Sequence, residues 1–147
     1  MTIAVDFDGT IVEHRYPKIG EEIPFAIDTL KMLIKDRHKV ILWTVREGKL
    51  LDEAVEWCRQ RGVEFYAINR DYPEETDKNN PHFSRKLNTI DYFIDDRNIG
   101  GLPDWGTIYR MITRHKTWHD MILEEVQSAT MKSYEELHPK KKPWWRF

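Results

Sequence analysis

Cysteine is nearly absent from this chain: Cys58 is the single one among 147 residues. One cysteine excludes an internal disulfide, and its place on the apolar side of a predicted helix marks it as core packing. A surplus of one charge is lacking too. Lys and Arg number 23 against 25 Asp and Glu, for a formal net charge of −2. No global field therefore draws the protein to nucleic acid or to an anionic surface. No apolar run approaches the ~20 residues that a membrane helix needs. The opening residues read as a strand with two acids close behind, not as a secretory signal, so a cytoplasmic location is expected. There is no internal repeat. At this length one domain with a proper core is expected over 1–147.

What is there is concentrated first in Met1 to Thr10. Thr2-Ile3-Ala4-Val5 is a short apolar run with β-branched residues, and it leads into Asp6-Phe7-Asp8-Gly9-Thr10. Such a run reads as a strand when it is brief and stops at a glycine. Along an extended strand, side chains two apart share a face, so Asp6 and Asp8 are expected to point the same way. Two carboxylates this close repel and call for a cation or a shared proton. Gly9 lets the backbone turn, and Thr10 can hydrogen-bond back across that turn.

Alternation continues along the chain. Pro24 suits the opening of a helix, whose apolar stripe is Phe25, Ile27, Leu30, Leu33 and Ile34 and whose end falls near His38. Lys39 to Thr44 reads as a buried strand, and Lys49 to Gln60 as a helix stopped by Gly62. Val63 to Ile68 and Ile90 to Ile94 are further strands, separated by an irregular polar stretch from Asn69 to Phe83. Strands alternating with helices predict an α/β fold: a Rossmann-like three-layer sandwich with a parallel sheet. In such sheets ligands bind beyond the carboxyl ends of the strands. Asp6 and Asp8, Thr44 and Arg46, and Asp95 and Asp96 all fall at such ends. A hydroxyl at Thr44 can donate to a phosphoryl oxygen, and a guanidinium at Arg46 can clamp a second one.

These motifs, in this order, resemble those of the haloacid dehalogenase superfamily of phosphotransferases. D-x-D-G-T after an N-terminal strand is similar to its first motif, Thr44 to its second and Asp95-Asp96 to its fourth. The stretches Ile41 to Cys58 and Ile94 to Trp105 are similar to a small capless group within it, and the resemblance covers roughly Met1 to Met111. It implies that Asp6 is the nucleophile, that Asp8 is the general acid and base, and that Gly9, Thr10, Thr44 and Arg46 lie on the substrate side. It implies Mg²⁺ held by Asp6, the backbone carbonyl of Asp8 and Asp96, with Asp95 behind them or reaching the ion through water. The third motif is a lysine; Lys86 is the residue expected there, with Arg85 beside it as the alternative.

The 33 residues between Thr10 and Thr44 and the 41 between Thr44 and Lys86 are consumed by the elements named above. Neither interval leaves room for a folded cap, so the site should be open, or covered by 69–83 or by a partner subunit in a homo-oligomer. After a core of about 1–111, residues 106–137 read as one or two helices and 138–147 as a basic, aromatic tail. His115 and His119 have a zinc-compatible i,i+4 spacing, but no third ligand is evident and they read as surface residues. The function expected is hydrolysis of a small phosphorylated substrate. Two alternatives remain at this point: a nucleic-acid end-processing phosphatase, suggested by T-x-R and an open site, and a non-catalytic phospholigand- or partner-binding protein on the same fold. Acids outnumber bases over the first hundred residues, which weighs against the first.

Overall fold

The computed structural model describes residues 1–75 and 87–139. Lys86, Arg85, the end of the polar stretch and the tail from residue 140 lie outside the described residues. The elements run β1 (Thr2–Val5), α1 (Ala26–Lys35), β2 (Lys39–Leu42), α2 (Gly48–Gln60), β3 (Ala67–Ile68), β4 (Tyr92–Ile94), α3 (Trp105–Arg114) and α4 (Trp118–Leu137). The chain forms two compact units, Met1–Tyr109 and Arg110–Phe147.

The first unit is an α/β fold on a four-stranded sheet of order β3-β2-β1-β4, with every pair parallel. Ile3, Ala4 and Val5 are all fully buried. Because successive side chains point to opposite faces, both faces of β1 are covered, as in a Rossmann-like sandwich. From β1 the chain builds toward β2 and β3 on one side, while β4 returns on the other. The strand order thus reverses at β1, the place where open α/β sheets leave a crevice.

Several elements are shorter than expected. Paired strand ends at Leu42, not Thr44, and β3 keeps only two of the six residues from Val63 to Ile68. The sheet edge explains this: β3 meets β2 only at Ile41↔Ala67 and Leu42↔Ile68. Helix α1 begins at Ala26, two residues after Pro24, because Phe25 takes a left-handed conformation at φ 66°. Its buried residues include Ile27, Leu30 and Leu33 of the expected stripe, whereas Phe25, outside the helix, is 70% exposed and Ile34 is half-buried. The helical C-terminal region is two helices, and Thr117 and Asp120 form a reciprocal capping box that starts the second. Among the described residues no helix is long and apolar enough to cross a membrane.

Candidate active site

The site is built where β1 ends. The strand stops at Val5, and the next residues fold into a tight turn in which the N–H groups of Thr10 and Ile11 both donate to the Phe7 carbonyl (3.2 and 2.9 Å). Asp6 and Asp8 open onto one cavity, on the side their spacing predicts. The carboxylate of Asp6 also gathers with those of Asp95 and Asp96, their oxygens within 4.8 Å of one another. Asp8 stands outside that cluster.

The turn is shaped for the cluster. Gly9 has φ +83°, and a Cβ there would fall 2.4 Å from Oδ2 of Asp96. Only glycine permits both the backbone angle and the approach. Thr10 is fully buried. Its hydroxyl lies 3.3 Å from both Asp6 Oδ2 and Asp96 Oδ1, and it accepts from the Asp96 N–H at 3.2 Å. Gly9 and Thr10 thus hold the acids together; the substrate side expected for Thr10 is corrected, because a hydroxyl enclosed among these acids does not reach a ligand.

Three acids gathered this closely repel one another. Burial, partly offset by the Phe7 backbone N–H, together with the negative charge of Asp95 and Asp96, pushes the Asp6 carboxyl up to about 7. The cluster offers only hard oxygen donors, which suits a divalent cation such as Mg²⁺ or Ca²⁺ better than a soft metal. Asp95 belongs to it directly. Its Oδ1 also accepts from the Arg97 N–H at 3.0 Å, and the Asn98 side chain donates to its carbonyl at 2.7 Å, fixing the turn after β4.

Thr44 sits just past β2 and is buried. Its N–H donates to the Asn69 side chain at 2.8 Å, and its hydroxyl oxygen accepts from the Arg46 N–H at 3.2 Å. Accepting uses a lone pair and leaves the hydroxyl hydrogen for another partner. Thr44, Asp6, Trp43, Val45, Asp95 and Arg97 line a cavity of about 210 Å³. A second cavity of about 160 Å³ opens on Asp6, Asp8 and Asp96 and is walled by His14, Tyr16 and Arg97.

Arg46 is where the structure departs most from expectation. The guanidinium is fully buried and meets Asp8 through two 2.7 Å hydrogen bonds, Nε to Oδ2 and Nη2 to Oδ1. Nη2 also donates to the Lys18 carbonyl, and Nη1 donates to those of Pro17 and Leu50. The substrate clamp expected at Arg46 is therefore corrected: its donors are already engaged inside the protein. Removing either partner of such a buried pair typically costs roughly 3–5 kcal/mol.

Three residues were missed in the sequence. Arg97 lines both cavities, its side chain is 68% exposed, and it makes a loose 3.8 Å ion pair with Asp95. Its position directly after the acid pair was the available signal. Asn69, at φ 52°, props Thr44. Asp71 is buried and accepts from the backbone N–H groups of Asn88 and Thr89 (3.0 and 3.4 Å), so it ties 71 to 88 across a gap in sequence.

A solved structure of a conserved protein from Bacteroides thetaiotaomicron is similar to this chain. The two are 68% identical with a TM-score of 0.75, over 82% of this chain and 96% of that one. The chain belongs to the family of that protein. No family model matches it, and no curated protein does.

Proposed function

We propose that the protein is a Mg²⁺-dependent phosphatase of the haloacid dehalogenase type that hydrolyses a small phosphomonoester through an aspartyl-phosphate. The observation that carries this reading is the convergence of Asp6, Asp95 and Asp96 within 4.8 Å at the reversal point of a parallel sheet, with Thr44 and Arg97 lining the same cavity. Asp6, Asp96 and Asp95 would hold Mg²⁺, together with the Asp8 carbonyl. When bound, the ion neutralises the acids and stabilises charge on the phosphoryl oxygens.

In this reading an oxygen of Asp6 attacks phosphorus in line, and the bond to the leaving oxygen breaks. The Asp8 carboxyl delivers a proton to the departing alkoxide. Its carboxylate then takes a proton from water, which attacks the aspartyl-phosphate and restores Asp6. The Thr44 hydroxyl donates to a non-bridging oxygen, and Arg97 supplies positive charge from the rim. Cavities of about 210 and 160 Å³ suit a phosphoryl group and a compact leaving group rather than a polymer.

The deciding experiment is turnover of phenyl phosphate with purified protein. Hydrolysis is expected with Mg²⁺, none with chelator, and none in Asp6→Asn with Mg²⁺. No turnover by the wild type, with retained binding of phosphate, would favour a phospholigand-binding protein instead.

A further inference from the structure

We infer that Arg46 is a positioning residue that sets the orientation of Asp8 and ties it to the loop carrying Pro17 and Lys18. The inference rests on the phosphatase reading and deepens it. A guanidinium has five N–H donors in a fixed fork. At Arg46 two go to the Asp8 carboxylate at 2.7 Å, and the others meet the carbonyls of Pro17 (3.2 Å), Lys18 (3.0 Å) and Leu50 (3.4 Å). No donor remains to meet a ligand. The phenyl ring of Phe7 and the phenol ring of Tyr16 each have their centroid 5.2 Å from its Cζ, close enough for cation–π attraction.

The consequence is geometric. A bidentate fork fixes the plane of the carboxylate as well as its distance. Each Asp8 oxygen gives up one lone-pair site to the fork and keeps another. The cavity on this side is bounded by Asp8, His14 and Tyr16, and the loop carrying them is held through Pro17 and Lys18. Arg46 therefore aligns the acid with the wall against which a leaving group would lie. The Leu50 carbonyl in the first turn of α2 anchors the far end of the guanidinium to a rigid element. A lysine at 46 could offer three donors from a single point, enough for a charge pair but not for the fork and its three carbonyls together.

The test uses Arg46→Gln, Arg46→Lys, Asp8→Asn and the double variant Asp8→Asn/Arg46→Gln, each with Mg²⁺ and with ethyl phosphate and phenyl phosphate. Arg46→Gln is expected to lower kcat for ethyl phosphate about 10²-fold or more, the scale of general acid help. KM should stay within about threefold. Arg46→Lys should recover only part of kcat. In the Asp8→Asn background, removal of Arg46 should cost less than about threefold further, because the two act as a unit. The double variant carries neither buried charge, so it keeps the comparison open if Arg46→Gln does not fold.

A rise in KM of about tenfold with kcat intact would overturn the inference and make Arg46 a substrate clamp. An additional loss of about tenfold or more in the Asp8→Asn background would overturn it as well. Wild-type turnover of both esters with an unimpaired Arg46→Gln would overturn the positioning role alone. If the wild type hydrolyses neither ester, the phosphatase reading fails and the positioning role falls with it.

Discussion

The indole Nε1–H of Trp105 donates to the carbonyl of Thr10 at 3.0 Å, across 95 residues of sequence. Trp105 is buried at the start of α3, and the carbonyl it satisfies belongs to the residue whose hydroxyl holds Asp6 and Asp96 together. The turn after β1 is thus braced by the helix that begins at Trp105. Trp105→Phe keeps an aromatic ring but leaves a small cavity and takes the donor from that carbonyl. A loss of roughly 1–3 kcal/mol in denaturant unfolding is expected, together with weaker metal-dependent activity. Unchanged stability would mean that water replaces the indole.

Asp8→Asn should separate the two chemical steps. An aryl oxide leaves with little need of a proton, whereas an alkyl alkoxide needs one. The variant should therefore lose more with ethyl phosphate than with phenyl phosphate in the first step, on the scale of about 10²–10⁴-fold. With phenyl phosphate it should release one equivalent of phenol and then slow, leaving phosphate on Asp6. Mass analysis of an acid-quenched digest reads this directly. Equal slowing of both esters without a labelled peptide would remove Asp8 from the mechanism.

Asp6 should make the metal-free protein weaker as pH rises. Its ordinary value is 3.8, and in the fold it is pushed up to about 7. Between those values the folded state binds more protons than the unfolded chain, so this contribution is fully present below about pH 4 and is lost as pH rises through about 7. The size is on the order of a few kcal/mol, at about 1.4 kcal/mol per unit. Melting temperatures in chelator at pH 5 and pH 8 test it. The wild type should lose more between the two than Asp6→Asn does, and added Mg²⁺ should restore the wild type at pH 8 but not the variant. Parallel pH slopes in the two proteins would contradict the shift.

Gly9→Ala should damage the site through Asp96. The backbone at φ +83° disfavours any Cβ, and this Cβ would press on Oδ2 of Asp96 at 2.4 Å. Backbone strain alone costs of order 1–3 kcal/mol, and moving Asp96 should also weaken binding of a divalent cation. Calorimetric titration with Mg²⁺ is the readout. Wild-type affinity in the variant would show that Asp96 has room to yield without cost to the site.

Arg97→Ala should act on binding. Arg97 lines both cavities and its side chain is largely exposed, so its loss should raise KM about tenfold, near 1.4 kcal/mol, and leave kcat within a few-fold. Inhibition by inorganic phosphate should weaken in step. A fall in kcat at constant KM would instead place Arg97 in support of Asp95.

Much of the fold was legible from local chemistry. The apolar runs at Ile3 to Val5 and Val40 to Leu42, the stripe of Ile27, Leu30 and Leu33, and the alternation of strand with helix specify a parallel α/β sheet, because burial follows the period of each element. The acids at 6, 95 and 96 and the hydroxyl at Thr44 were legible for a related reason: in such a sheet, strand ends are brought to one rim whatever the loops do. The places of Thr10 and Arg46 were not. Thr10 offered a hydroxyl for a substrate, but the turn encloses it between Asp6 and Asp96. The charge of Arg46 suggested a ligand clamp, yet which acceptors a long side chain meets depends on carbonyls at 17, 18 and 50 that sequence distance does not relate. The sequence by itself determined the elements and the rim on which the chemistry sits, since hydrophobic periodicity and residue type are local properties. Only the tertiary structure decided which cation faces inward and which faces the cavity, because buried donors are assigned by the three-dimensional positions of the acceptors around them.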